Sequence, residues 1–349
     1  MLFSLISVKN LCHNPVHKEH KRLLDLIDRF PGRRIAVWGD YILDEYLFGH
    51  TRRISREAPV LILSHQANSY ALGGAGNALL NLKTLGAAPI PVGVTGSDAA
   101  GRRIRSMIKK QGITADHLLT AKDFSTPMKT RVLAGEENTR KQQILRIDRE
   151  GQVPDTSVVK TGLLGALRAV RKHIDALLIS DYHYFTVKED LYRKIHPLYL
   201  KSCTHMTLDS RFRLLGFQGT TVSTPNEPEM EHALQREARD DHDWLKETGR
   251  RLLRRTAARA VLLTRGSKGM VLFERGRPMF SIPIRGPSDI VDVTGAGDTV
   301  ISVMTLALAA GASFREAAAL ANYAGAVVVM KKGTAAVSID ELRDAVIAL

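Results

Sequence analysis

Ala176-Leu177-Leu178-Ile179 is followed at once by Ser180-Asp181. Four apolar residues in a row, bounded by polar ones, are too few for a buried helix and read as a strand covered on both faces. The pattern recurs outward along the chain: Ile35-Ala36-Val37-Trp38 before Gly39-Asp40, Met206-Thr207-Leu208 before Asp209, and Ala260-Val261-Leu262-Leu263 before Thr264-Arg265-Gly266. Longer helical segments separate these runs. Strands alternating with helices predict an α/β fold, with a mainly parallel central sheet in the middle of a three-layer sandwich. One terminal aspartate alone reads as well as a helix N-cap. Several polar strand ends together indicate a shared cleft, because open α/β sheets bind ligands at their carboxyl edge.

Two stretches break the rhythm. Tyr46-Leu47-Phe48-Gly49 and Val60-Leu61-Ile62-Leu63 flank a basic turn, and Met128 to Leu133 and Gln143 to Asp148 form a second pair. Pairs too short to own a core predict a small β-sheet lid over about residues 45–65 and 127–149. Residues 1–30 read as an extension, in which a flexible polar lead-in with His13, His17 and His20 precedes a short helix around Arg22 to Phe30. Without a completing carboxylate or thiol, the three histidines are not read as a metal cluster. Residues 31–349 read as one domain carrying the lid. Ser313 with Glu316 and Ser338 with Glu341 have capping-box spacing, so the C-terminal third is expected to be helical.

Of 349 residues, 44% are hydrophobic and 25% charged, which is ordinary for a globular protein and excludes a disordered chain. Lys and Arg total 50 against 36 Asp and Glu, a formal charge of +14. The densest basic run, Arg250, Arg251, Arg254, Arg255 and Arg259, lines one side of a helix whose other side carries Leu252 and Leu253. This is a solvated face, and with aromatics at 6% no nucleic-acid partner is expected. The positive field suits phosphorylated small molecules instead. Cys12 and Cys203 lack metal or redox spacing, which fits a reducing cytoplasm. The apolar runs 300–310 and 317–330 fall short of the roughly 20 residues a bilayer requires, and the apolar start lacks the flanks of a signal peptide. A cytoplasmic protein without membrane partners is expected.

The most informative segment is Asp289-Ile290-Val291-Asp292-Val293-Thr294-Gly295-Ala296-Gly297-Asp298-Thr299-Val300, leading into an apolar helix. Small residues in a first helical turn offer unpaired amides to an anion. Asp298, in that same turn, is placed to accept a proton from a hydroxyl that attacks a phosphate. A dinucleotide fingerprint would need Gly or Ala where Val300 stands, and the chain has no Gly-x4-Gly-Lys-Ser/Thr. A structural turn with Asp298 as helix-dipole partner is the other reading.

Further segments decide between them. Thr294 to Asp298 resembles the signature of the ribokinase-like (PfkB) carbohydrate kinases. Gly73-Gly74-Ala75-Gly76-Asn77 resembles that family's double-glycine sugar segment, Thr224-Pro225-Asn226-Glu227-Pro228-Glu229 its Asn-x-x-Glu element, and Thr264 to Gly269 its nucleotide loop. The likeness spans about residues 33 to 349. Gly39 to Tyr46, Arg53 to Val60, Asp292 to Ser302 and Gly333 to Ser338 are similar in particular to kinases of D-glycero-β-D-manno-heptose 7-phosphate, which supply ADP-heptose for lipopolysaccharide. Some of these carry a fused nucleotidylyltransferase with His-x-Gly-His; that motif is absent here, so a stand-alone kinase is expected. One departure is Tyr182-His183-Tyr184-Phe185, where those kinases read Tyr-Gly-Lys-Gly, and it bears on the identity of the sugar.

The resemblance implies transfer of the γ-phosphoryl of ATP to a sugar-phosphate hydroxyl. Asp298 would be the general base, assisted by the amides of Gly295, Ala296 and Gly297. Asn226 and Glu229 would organise Mg2+ on the nucleotide, which Glu227, Pro228, Thr264, Arg265, Gly266, Gly269, Thr294 and Asn322 would bind. Asp40, Asp44, Gly73, Gly74, Asn77 and Asp181 would meet the sugar. Arg52, Arg53, Arg56, Arg131 and Arg140 are candidates for its phosphate, since a guanidinium fork suits one. Asp292, with carbonyls near Gly333, would support activation by K+. Pairing of lids predicts a homodimer. The rival reading is a sugar-phosphate-binding regulator without turnover.

Overall fold

The computed structural model describes residues 15–135, 141–202, 204–285 and 291–348. In chain order the elements are α1 (Pro15–Ile27), β1 (Arg34–Gly39), β2 (Tyr41–Ile54), β3 (Leu61–Gly74), α2 (Ala75–Thr84), β4 (Ala88–Gly96), α3 (Ala99–Lys110), β5 (Leu118–Ala121), β6 (Met128–Gly135) and β7 (Gln142–Arg149). There follow α4 (Ser157–Val170), β8 (Ala176–Asp181), α5 (Glu189–Lys201), β9 (His205–Ser210), β10 (Val222–Ser223), α6 (Glu227–Leu234), α7 (His242–Thr256), β11 (Ala260–Thr264), β12 (Met270–Glu274), β13 (Phe280–Ile282), α8 (Ala296–Ala309), α9 (Phe314–Val328) and α10 (Ile339–Ile347).

Among the described residues nine strands form the large sheet, in the order β13-β12-β11-β10-β9-β8-β1-β4-β5. The pairs from β11 to β5 are parallel, and β12 and β13 close one edge antiparallel. Strand alternation sends every second side chain to the opposite face. Ile35, Val37, Leu178 and Leu262 thus join a core with α1, α2, α3, α8, α9 and α10. Ala36, Trp38, Ile179, Leu208 and Leu263 join another with α4, α5, α6 and α7. The expected three layers follow, and both expected capping boxes, at Ser313 and Ser338, are formed.

The four strands of the small sheet run β3-β2-β6-β7. Both expected hairpins are present, and they are joined by parallel pairing of β2 with β6, Leu43 opposite Met128. The first hairpin is longer than expected: β2 starts at Tyr41, just past β1, so the small sheet grows out of the carboxyl edge of the large one. Ile54, Val60, Leu61, Ile144, Leu145 and Ile147 lie exposed on it.

The N-terminal segment differs from the expected loose lead-in. Helix α1 begins at Pro15, and Leu23, Leu26, Ile27 and Phe30 are fully buried in the first core. His13, Cys12 and Cys203 lie outside the described residues. No helix among the described residues is long and apolar enough to cross a membrane.

Candidate active site

A cavity of about 440 Å³ lies between the carboxyl edge of the large sheet and the small sheet. Asp44, Gly74, Asp181, Asn226, Glu229, Thr264, Thr294, Gly295, Gly297 and Asp298 of the expected residues line it. They come from six separate stretches of chain, which the carboxyl edge of the parallel sheet and the small sheet over it bring together.

Asp298 stands in the first turn of α8 and is 2% exposed. Its Oδ2 accepts from Asn77 Nδ2 at 2.9 Å and its Oδ1 from the Tyr182 hydroxyl at 3.0 Å. Burial, followed by Asp209 and Asp44, pushes its carboxyl up to about 8 against these two donors. A buried carboxylate of raised basicity beside a polar cavity is suited to taking up a proton. Gly295 precedes it at φ 80, and a Cβ there would lie 2.5 Å from Asn77 Nδ2, so both conformation and space require glycine. The Ala296 amide is already bonded to the Val293 carbonyl at 3.2 Å, and Ala296 does not line the cavity. The expected three-amide cradle is therefore reduced to the amides around Gly295 and Gly297.

Asp40 does not reach the cavity, contrary to expectation. It is 1% exposed, and its carboxylate accepts from the amides of Tyr182 at 2.8 Å, Tyr184 at 3.1 Å and Thr186 at 3.0 Å. Alternate amides can converge on one anion only if the residues between them turn the other way, and His183 and Phe185 do so with φ of 70 and 65. These are the two positions at which the resembling kinases carry glycine. A left-handed non-glycine residue costs roughly 1–2 kcal/mol, whereas a hydrogen bond to a charged group contributes about 1.5–3 kcal/mol, so three of them hold the loop. Burial and the neighbouring Asp181 raise the Asp40 carboxyl, and the amides oppose that rise.

Asn226 and Glu229 face the cavity while forming the capping box of α6, with Asn226 Oδ1 on the Glu229 amide at 2.8 Å and Glu229 Oε2 on the Asn226 amide at 3.0 Å. Burial and then Asp209 push the Glu229 carboxyl up; burial and then Asp181 do the same to Asp209. Carboxylates and an amide oxygen are hard donors that suit Mg2+, and a divalent cation would relieve this repulsion. No group of three or more His, Cys, Asp or Glu side chains that could hold a metal ion occurs among the described residues. Glu227 pairs with Arg265 at 2.8 Å, tying the Thr264–Gly269 loop to α6 beside Pro228. Gly269 has φ 80, and a Cβ would meet the Ile282 carbonyl at 2.3 Å.

Five more expected residues have structural neighbours. Asn77 is fully buried and holds Asp298. Asn322 donates to the Pro283 carbonyl at 2.8 Å, and Ala321 and Ala324 beside it are buried. Gly73 lets Asp44 approach, since a Cβ would lie 2.5 Å from Asp44 Oδ2. Asp292 spends its oxygens on the amides of Thr294 and Gly333, both at 2.9 Å; burial would raise its carboxyl, but these amides hold it below the usual range. Asp181 accepts from Ser210 Oγ at 2.7 Å and from Arg213.

The small sheet supplies Lys129, Arg131 and Arg146 to the cavity, and β9 leads to Arg211. Arg131 pairs with Asp44 at 2.5 Å, while Lys129 and Arg146 share Asp148. Arg52, Arg53 and Arg56 sit away from the cavity around the tip of the first hairpin, and Arg140 lies outside the described residues. Lys129, Arg146, Tyr182, Asp209, Arg211 and Thr334 are lining residues to which the sequence reading gave no site role. Asp209 was visible as a strand end, Tyr182 as part of a departing loop and Thr334 within the segment Gly333 to Ser338; Lys129, Arg146 and Arg211 carried no signal.

Residues 33–341 match the family described as pfkB family carbohydrate kinase. The protein named Bifunctional protein HldE of Actinobacillus succinogenes is 36% identical over 318 residues, 91% of this chain and 64% of that protein; that of Desulfatibacillum aliphaticivorans is 35% identical with the same coverage. The chain thus spans less than two thirds of these curated relatives. Among solved structures, Arabidopsis thaliana ribokinase complexed with ribose and ATP superposes with a TM-score of 0.67 at 19% identity, covering 91% of this chain and 98% of the other. Escherichia coli phosphofructokinase-2 in complex with fructose-6-phosphate gives 0.69 at 18% identity, covering 91% and 99%. With the family matched over most of its length and the ribokinase-type architecture in place, the chain belongs to the pfkB family of carbohydrate kinases.

Proposed function

We propose that this kinase phosphorylates a sugar phosphate, D-glycero-β-D-manno-heptose 7-phosphate, at its anomeric hydroxyl, giving the 1,7-bisphosphate and ADP. The observation that carries the reading is the polarity of one cavity: a basic carboxylate, Asp298, with phosphate-suited amides stands at the start of α8, which packs on the large sheet, and Lys129, Arg131 and Arg146 belong to the small one. Arg131 is balanced by Asp44, but Lys129 and Arg146 share Asp148 alone, which leaves one cation in excess for an acceptor's own phosphate. The HldE relatives support the heptose.

Asp298 takes the proton of the attacking hydroxyl as its oxygen bonds to the γ-phosphorus and ADP departs. Amides around Gly297 stabilise the developing charge, and oxyanion-type donors of this kind contribute about 2.7–4 kcal/mol each. Asn226 and Glu229, with Asp209, would hold magnesium, which when bound neutralises charge on the nucleotide phosphates. Thr264, Arg265 and Gly266 would receive the nucleotide. A homodimer through the small sheet is part of the proposal, because it would cover the exposed Ile144, Leu145 and Ile147; sedimentation as a monomer at micromolar concentration would exclude it.

The test compares kcat/KM for heptose 7-phosphate, fructose 6-phosphate and free ribose. We expect the heptose phosphate to lead, and Lys129→Ala or Arg146→Ala to lose roughly 10- to 150-fold on it, the equivalent of one charge-assisted bond of about 1.5–3 kcal/mol. Free ribose as the best substrate would remove the heptose assignment and leave the kinase.

Glu229→Gln should raise the magnesium requirement and slow turnover while the protein stays folded, because glutamine still completes a capping box. Arg254→Ala, on exposed α7, should do neither. Equal kinetic effects from the two changes would dismiss the magnesium role.

A further inference from the structure

We infer that Tyr182 is a positioning residue for phosphoryl transfer, orienting the Asp298 carboxylate, and that Asp40 holds Tyr182 in place through the amides of the following loop. The inference rests on Asp298 being the base.

The Asp298 carboxylate has one donor on each oxygen, Asn77 on Oδ2 and Tyr182 on Oδ1. Two donors from opposite sides fix the plane of a carboxylate that could otherwise swing about a single bond. Each oxygen keeps a further lone pair for the incoming hydroxyl. Asn77 is anchored in turn: Asn81 Nδ2 donates to its Oδ1 at 3.3 Å, and Thr299 Oγ1 donates to Asn81 Oδ1 at 3.1 Å. Tyr182 has no such side-chain anchor. Its place is set by its own backbone, whose amide is the first of the three that converge on Asp40. Asp40 therefore acts on Asp298 from beneath the cavity without touching substrate. A chain from buried anion to loop to phenol to base accounts for two features at once, the loop's strained conformation at His183 and Phe185 and the burial of a carboxylate that does not line the cavity.

The phenol is the donor in this contact. Burial, then Asp298 and Asp209, push its ionisation well above the usual range, so it stays protonated. The ionisable neighbours of Asp298 are Tyr182 from this loop, Asp209 from β9 and Asp44 from β2, with Arg211 and Arg131 on the cavity wall. The carboxylates raise Asp298 after burial does, and the Tyr182 hydroxyl lowers it. Removing the hydroxyl must therefore raise it further, so that a higher pH is needed to ionise the base.

Tyr182→Phe keeps the ring and removes the contact. On the full chain we expect kcat to fall about 10- to 100-fold, the scale of a misplaced reacting group, with KM for ATP within about threefold. The acid limb of the pH profile of kcat should move to higher pH. Asp40→Asn should act in the same direction, and the double variant should be little worse than the more damaged single one, because both changes break one chain. If Asp40→Asn fails to fold, Tyr182→Phe decides alone. Wild-type kcat and pH profile in Tyr182→Phe, with Asp298→Asn inactive, would overturn this inference and leave the base assignment standing. An active Asp298→Asn would remove the base assignment and this inference with it.

Discussion

Asp298→Asn should lower kcat by about 10²- to 10⁴-fold, the usual contribution of a general base, and at the same time make the ligand-free protein harder to melt. The two effects share one cause. A carboxyl ordinarily near 3.8 is pushed up to about 8 by burial among Asp209 and Asp44, so the folded chain binds a proton that the unfolded chain has released. Between those values the folded state therefore loses stability as pH rises, by about 1.4 kcal/mol per unit, and the loss is complete above about pH 8. Asparagine is neutral throughout and removes the loss. It also keeps both contacts, turning its oxygen to Asn77 and its amide to the Tyr182 oxygen, which can accept as well as donate. The melting midpoint should rise most near pH 8, by roughly 2–4 °C for each kcal/mol recovered, and hardly at all near pH 4. ATP affinity should stay within a few-fold, since the amides around Gly295 and Gly297 are retained. Turnover within about twofold of wild type would end the assignment, and an unchanged melt at pH 8 would show that Asp298 carries no strain of charge.

The strands of the large sheet were legible because each is a short apolar run ended by polar residues, and parallel strands buried on both faces leave that mark. The segment Thr294 to Asp298 was legible for a related reason: glycine at 295 answers to a backbone requirement, which one letter records. Asp40, Asn77 and Asn322 were named as ligand contacts and turn out to hold other parts of the protein. Their residue types are correct for either task, and only burial separates the two. Lys129 and Arg146 carried no signal, since strands β6 and β7 place them over the cavity through a parallel pairing of β2 with β6 across some 80 residues of chain. Nothing local encodes that distance. The loop at His183 and Phe185 was legible only as a departure from glycine; the letters did not announce that both residues would adopt the left-handed backbone that glycine takes most easily.

Removal of residues 1–30 should destroy the fold, although no motif lies within them. Leu23, Leu26 and Ile27 recur at helical spacing on α1, Phe30 follows just past its end, and all four are 0–1% exposed within the core shared with α8, α9 and α10. Burying one such side chain contributes about 1.5–3 kcal/mol, so the four together approach the 5–15 kcal/mol that holds a typical domain folded. The Arg22–Glu316 pair at 2.9 Å and the Arg343–Asp28 pair add little, because partly exposed ion pairs contribute roughly 0–1 kcal/mol each. Burial thus decides the outcome, and the deletion should give insoluble protein or a chain without a cooperative melt. Leu26→Ala offers a milder form: a cost of about 2–5 kcal/mol, a clearly lower midpoint, and unchanged kcat at a temperature where the variant is folded, since α1 contributes nothing to the cavity wall. Glu19→Ala, at an exposed position of the same helix, should leave the midpoint in place. A truncated chain that melts and turns over like the full one would mean that α1 only covers a core already closed by α2, α9 and α10. The helix would then be an appendage, and the hydrophobic spacing of Leu23, Leu26 and Ile27 would need another explanation.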